Sequence, residues 1–369
     1  MQNLVNDTPP AKKNYDFVDS IRGISMMSIV ADHTFNLGTY LFHTTNTAFW
    51  VYVFDIQLAK FGTVAFFLLA GFLLGDKFVT YTSGQYISRR FKSTFKPWLI
   101  WSLIFLFAIL LRDFLNYLHY GSGGFHLFSY LADDLSIVYL YSNYWFIINF
   151  LICISILLIF KKNLYSWKLG AALLACTLFY SINVYFEWIT PLHTTALFGF
   201  VFFLWLGAQL HKHWAVVQSK INTTSFFWFI LIFVACLAWA IIEFKVLYNA
   251  KSADPYNTLR VSNIAYSLAA FALLLKFKSF KRIDRLKPRE TTYGIYLIHY
   301  ILVFSLLPEV LIHFNLPKLG DMSTGTIVVY QLFRFLSVYI VTVILVKLIN
   351  RTKFSWILGS NIRSNKTVA

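Results

Sequence analysis

The sequence predicts an all-α integral membrane protein of about ten transmembrane helices, with the N and C termini cytoplasmic. Three observations carry that expectation. Hydrophobic residues make up 58% of the 369 and charged residues only 13%, with a mean hydropathy of +0.62, far from the roughly half-apolar, quarter-charged mix of soluble domains. The apolar residues are gathered into runs of about 20, the length that crosses bilayer hydrocarbon. Lys and Arg are gathered between those runs, chiefly in alternate connections, the other set holding few.

In chain order the runs fall near 21–40, 61–79, 97–116, 144–160, 168–186, 195–211, 225–246, 260–278, 292–312 and 326–349. The fifth and sixth are joined by a short turn holding Glu187, Pro191 and His193. One set of connections carries Lys12 and Lys13, then Arg89, Arg90, Lys92 and Lys96, then Lys161 and Lys162, then Lys212 and Lys220, then "KFKSFKRIDRLKPRE", then Arg351 and Lys353. Basic loops stay cytoplasmic. The alternate loops near 41–60, 117–142, 187–194, 247–259 and 313–325 are therefore expected outside, with Asp55, Asp133, Asp134, Asp254 and Asp321.

Too little of the chain lies outside the runs for a soluble domain. The expected organisation is a mobile cytoplasmic tail over 1–15, where Pro9 and Pro10 follow polar residues, one transmembrane domain over 16–355, and a cytoplasmic tail over 356–369. The first residues lack the apolar core of a signal peptide, so insertion is expected to rely on the first helix. A net charge of +16 could suit nucleic acid, but the basic residues sit in short clusters between apolar runs and orient the chain instead. Cys153, Cys176 and Cys236 all fall in apolar runs, and an odd count implies no disulfide framework. No metal site is expected, and no repeat of 20 to 50 residues is visible.

The stretch "DSIRGISMMSIVADHTFN" at 19–36 departs from the apolar pattern. Ionised groups in hydrocarbon are costly and face a partner or a cavity. Arg22 and His33 are eleven positions apart, within about 20° of three full turns and with about 16 Å of rise, so they share one face of a helix. Asp19 lies near the same line, and Asn36 is the neighbour of His33 one turn further on. An arginine near a helix end also snorkels to lipid headgroups. An imidazole halfway through the membrane has no such escape, and its titration near neutrality suits general-base work. Asp32 points about 100° away from His33, so it is expected to satisfy a neighbouring helix.

With these residues the sequence resembles the acyltransferase-3 family of membrane acyltransferases, which modify bacterial surface polysaccharides, peptidoglycan and small molecules. The resemblance begins with Asp19, the Arg22-Gly23 pair and His33. "FGTVAFFLLAGFLLG" at 61–75 is similar to the family's second-helix segment, with Ala70 where a serine is common. "YISRRFKSTFKPW" at 86–98 resembles its basic cytoplasmic motif, although Lys92 stands where a second arginine is usual. "NYWFIINFL" at 143–151 and "TYGIYLIHY" at 292–300, containing Trp145 and His299, resemble two further segments.

The resemblance implies an O-acyltransferase of the bacterial inner membrane. It would move an acyl group, acetyl by expectation, from cytoplasmic acyl-CoA to a hydroxyl of a cell-envelope glycan or lipid-linked sugar, with no permanently bound cofactor. It also implies roles. Arg22, Arg89, Arg90 and Lys92 would hold the CoA phosphates by charge-assisted hydrogen bonds, lysine without the bidentate fork of arginine. Asp19 would orient Arg22, and His33 would take the acceptor's proton. Trp145, His299 and Asn36 are further candidates, Trp145 being also a natural interface residue and His299 a natural helix-packing one. Arg334 and Glu243 are placed to line an acceptor cleft or to reach the interface. A transporter or polysaccharide exporter is the alternative reading, but the paired repeats and broken helices of carriers are not evident.

Overall fold

A helix bearing Asp16, Asp19, Arg22, Asp32 and His33 is unfavourable against lipid, and the fold encloses it in protein. The computed structural model describes residues 15–120, 127–192, 194–314 and 316–359. Residues 1–14 of the expected 1–15 tail, with Lys12 and Lys13, His193, and residues 360–369 of the expected 356–369 tail lie outside the described residues.

The first helix, α1, spans Asp16–Phe35. A three-residue turn leads to α2 (Thr47–Ala59) and, after a break at Lys60, α3 (Gly62–Thr80). Then come α4 (Ser83–Arg90), a π-helical turn at Phe91–Phe95, and α5 (Lys96–Tyr120). The helix α4 is started by a capping box between Thr82 and Gln85. Next are α6 (Leu127–Ser136), a second π-helical turn, α7 (Trp145–Ile159) and α8 (Trp167–Phe186). They are followed by α9 (Val201–Lys212), α10 (Trp214–Thr223), α11 (Phe226–Asn249) and α12 (Val261–Phe277). The chain closes with α13 (Lys281–Asp284), α14 (Pro288–Ile301), a third π-helical turn at Leu302–Leu306, α15 (Leu307–Ile312) and α16 (Thr324–Asn350).

Each of the ten expected runs overlaps helical chain, the ninth crossing α14, a π-helical turn and α15. Six stretches among the described residues are long and apolar enough to cross a membrane: Thr47–Gly75, Ser83–His119, Trp167–Phe186, Phe226–Asn249, Pro288–Ile312 and Thr324–Asn350. A seventh is formed if Phe128–Tyr141 and Trp145–Ile159, bent by 54°, make one span. The helix α1 differs by its charges, and α9 and α12 by their length of 12 and 17 residues. Two expected loops contain helix: 47–59 is helical although Asp55 and Gln57 interrupt its apolar run, and 127–136 is α6. The sixth run begins at Val201 instead of 195, after a series of turns.

The helix α1 is packed by α2, α3, α12, α13, α14 and α16. It tolerates that crowding because many of its enclosed positions are small, among them Ser20, Gly23, Ser25, Ser28 and Ala31. A β-carbon on Gly23 would meet Cγ2 of Ile283 at 2.5 Å. Closest of all is the crossing of α3 and α9, where a β-carbon on Gly71 would fall 1.9 Å from the carbonyl oxygen of Leu204. On the flank of α1, Asp32 meets Nζ of Lys60 at 3.0 Å, as its offset from His33 anticipates. Serine 28 donates to the carbonyl of Ala59. The break between α2 and α3 is thereby tied to α1.

Candidate active site

Two groups of side chains lie along one face of α1. At its N-terminal end Arg22 donates from Nη1 to Asp19 at 2.6 Å, one turn back. From there a cleft of about 290 Å³ runs along α1 past Met26 and Ile29. It is lined by Arg22, Arg90 and Arg289 with Ser93, Thr94 and Tyr293, and by the apolar Phe66, Ala70, Phe146, Ile147 and Phe150. The three guanidiniums come from α1, α4 and α14, which are far apart in sequence. Arg90 is held by donating from Nε to the hydroxyl of Tyr86 at 2.7 Å, and Tyr293 by donating to the carbonyl of Thr94 at 2.5 Å. Repulsion among three like charges is costly unless an anion joins them, and guanidiniums match phosphate and carboxylate geometry.

One turn beyond Ile29, His33 meets His299. Nδ1 of His33 is 2.9 Å from Nε2 of His299, whose Nδ1 is 2.9 Å from the carbonyl oxygen of Ile295. That chain of contacts fixes the protons. A carbonyl only accepts, so Nδ1 of neutral His299 carries the hydrogen and Nε2 carries the lone pair. His33 must then donate from Nδ1, which puts its own lone pair on Nε2. The ring of Tyr300 stands edge-on to His33, with centroids 5.2 Å apart. His299 is fully buried and His33 partly so. The pair is therefore an imidazole oriented by a buried hydrogen-bond acceptor, an arrangement of the kind that general-base chemistry uses.

A family model described as an acyltransferase domain matches residues 15–350, nearly the whole described chain. The chain belongs to the acyltransferase-3 family. It is an acyltransferase, and its several apolar helices make it a multi-pass membrane protein. No curated protein and no solved structure gave a match.

Of the residues singled out in the sequence, the acyltransferase brings Arg22, Asp19 and Arg90 together at the cleft, and His33 with His299 above it. Arg89 and Lys92 do not line the cleft. Arg89 lies over the ring of Tyr81, 4.5 Å from its centroid, because adjacent helical residues point about 100° apart, and Lys92 is exposed on the π-helical turn. Trp145 packs on Phe200 with centroids 5.4 Å apart, and its neighbour Phe146 is the one that faces the cleft. Asn36 is exposed and ends α1, its N–H donating to the carbonyl of Asp32. Glu243 is buried and engaged by Ser262 and by the hydroxyl of Tyr185.

Two features escaped the sequence reading. Arg289 stood in a run of basic residues that topology alone explained, and only the start of α14 at Pro288 turns it to Arg22. His299 was expected to hold helices together, and it does so through the very imidazole expected to act as base. A histidine on each of two apolar helices was the available signal, but nothing in their spacing pairs positions 266 apart.

Proposed function

We propose that the protein transfers an acetyl group from cytoplasmic acetyl-CoA to a hydroxyl of a cell-envelope glycan or lipid-linked sugar in the bacterial inner membrane. The observation that carries this reading is one of length. From Arg22 to His33 the helix rises about 16 Å. The pantetheine arm of coenzyme A, from pyrophosphate to sulfur, is a chain equivalent to between four and five extended residues, about 15 Å. With the pyrophosphate on Arg22, Arg90 and Arg289, the arm runs through the apolar part of the cleft and its thioester comes level with His33. Arg89 and Lys92, exposed beside Arg90, add steering charge.

Transfer then needs no further group. Nε2 of His33 takes the proton of the acceptor hydroxyl as its oxygen forms a bond to the thioester carbonyl carbon. The carbon–sulfur bond breaks, and the departing thiolate recovers the proton from His33. His299 keeps Nε2 of His33 unprotonated at the start and stabilises the imidazolium through a charge-assisted bond in between. Asp19 holds Arg22 toward the donor.

The reading requires the Arg22 end of α1 to face the cytoplasm, with both termini and the 276–291 segment on that side. In a cysteine-free background, Asp321→Cys should be labelled by an impermeant maleimide on intact cells and Lys281→Cys only after permeabilisation. The reverse pattern would put the donor site on the wrong face.

The donor clamp has its own test. A charge-assisted hydrogen bond contributes about 1.5–3 kcal/mol, so Arg90→Ala with Arg289→Ala should raise the KM for acetyl-CoA by about 100-fold or more. The KM for extracted envelope glycolipid should move little. Mass spectrometry of that glycolipid after reaction identifies the group transferred, and unaltered donor kinetics in the folded double variant would remove the clamp from the mechanism.

A further inference from the structure

Arg334 is a buried arginine that the transfer step does not use. On α16 the buried residues Ile327, Gln331, Arg334 and Val338 recur at spacings of three and four, so Gln331 and Arg334 share the stripe turned into the bundle, where α16 packs on α1 and α2. Arg334 donates from Nε to the carbonyl of Thr34 at 2.9 Å and from Nη1 to the hydroxyl of Tyr330 at 3.3 Å. Thr34 directly follows His33. The guanidinium therefore sits beside the base, on the side away from the arginine-lined cleft, and Nη2 remains uncommitted.

Charge balance points to a ligand here. Arg22 has Asp19, Lys60 has Asp32, Arg112 has Asp113, and the fully buried Arg260 has Glu243 and Asp254 as charged neighbours. Arg334 is only 4% exposed, and among the described residues no carboxylate pairs with it. A buried charge left uncompensated is strongly unfavourable. One turn away, Gln331 is 1% exposed and neither its amide oxygen nor its amide nitrogen has a hydrogen-bond partner. Native structures rarely leave a buried amide wholly unpaired. The two unmet needs lie side by side and are complementary: an anion for the guanidinium, and a hydroxyl that both donates and accepts for the amide.

We propose that Arg334 and Gln331 form the acceptor subsite, and that the acceptor is an acidic sugar whose carboxylate pairs with Arg334 while Gln331 holds a neighbouring hydroxyl. The word acceptor rests on the transfer reading above; the binding of an acidic sugar does not. A planar carboxylate suits the guanidinium fork, and its position next to Thr34 brings the sugar's hydroxyls to His33 from the side opposite the donor. Asn36, two residues past Thr34, is exposed.

The test is ligand-dependent thermal stability of the detergent-purified protein with no acyl donor present. The probes are methyl β-glucuronide, methyl β-glucoside and glucose 1-phosphate. A ligand that binds only the folded state raises the melting temperature. Glucuronide should stabilise the wild type and glucoside should not. Arg334→Met should weaken glucuronide binding by about 10- to 100-fold. Gln331→Leu should melt no lower than the wild type without ligand, since it removes an unpaired buried amide, and yet lose most of the glucuronide shift. A merely structural glutamine would do the opposite. Equal stabilisation by glucoside, no stabilisation by glucuronide, or an undiminished shift in both variants overturns the subsite. Stabilisation by glucose 1-phosphate alone overturns the carboxylate assignment. Because the readout needs no turnover, its failure leaves the role of His33 standing, and an inactive transfer assay leaves the binding measurable.

Discussion

His33→Gln is expected to lower acyl transfer by about 10²–10⁴-fold while leaving acetyl-CoA affinity near that of the wild type. Glutamine keeps roughly the size of the imidazole and can still donate to Nε2 of His299, so the hydrogen bond that joins α1 to α14 at 2.9 Å has a replacement. What it lacks is a basic nitrogen. The loss should therefore fall on the chemical step, in kcat, and not on donor KM, because Arg22, Arg90 and Arg289 lie about three turns away along α1. The measurement is thiol release from acetyl-CoA with and without glycolipid acceptor, on detergent-purified protein shown to be folded by its unchanged melting temperature. Near wild-type turnover would remove His33 as the base. A parallel loss of donor binding would mean that the substitution has disturbed the cleft instead.

How much of this was legible in the sequence depends on whether the signal was local. The ten apolar runs all overlap helical chain, because a run of about 20 apolar residues is a statement about one segment, although six or seven stretches among the described residues are long and apolar enough to span. The shared face of Arg22 and His33 was legible for the same reason, since helical geometry alone sets it. The Asp19–Arg22 pair at three positions and the outward turn of Asp32 toward another helix followed from the same arithmetic. Tertiary coincidences were not legible. Nothing in the order of residues says that α14 returns to lie against α1 with His299 level with His33, or that the basic segment before it lends Arg289 to the cleft. Arg89 and Arg90 illustrate the limit from the other side: neighbours in one motif, they were equal as charges, and the helix turned one toward the cleft and the other over Tyr81.

The His299 substitutions separate its part from that of His33. His299→Leu is expected to reduce transfer by about 10²–10³-fold, and His299→Gln by less than about tenfold. The difference lies in one acceptor atom. Nε2 of His299 accepts from Nδ1 of His33, and this is what assigns the lone pair to the opposite nitrogen. Leucine offers no acceptor, so His33 is free to turn or to carry its hydrogen on Nε2, where it cannot take a proton from the acceptor, and the developing imidazolium loses its charge-assisted partner. Glutamine supplies an amide oxygen to the same N–H and so preserves the tautomer. If His299 served packing alone, leucine, apolar and well suited to a fully buried position, would be the milder change and glutamine the harsher one. The ranking of the two variants in kcat, with donor KM as the control, therefore decides the role: leucine more active than glutamine would reduce His299 to a packing residue and leave His33 to act without a fixed tautomer.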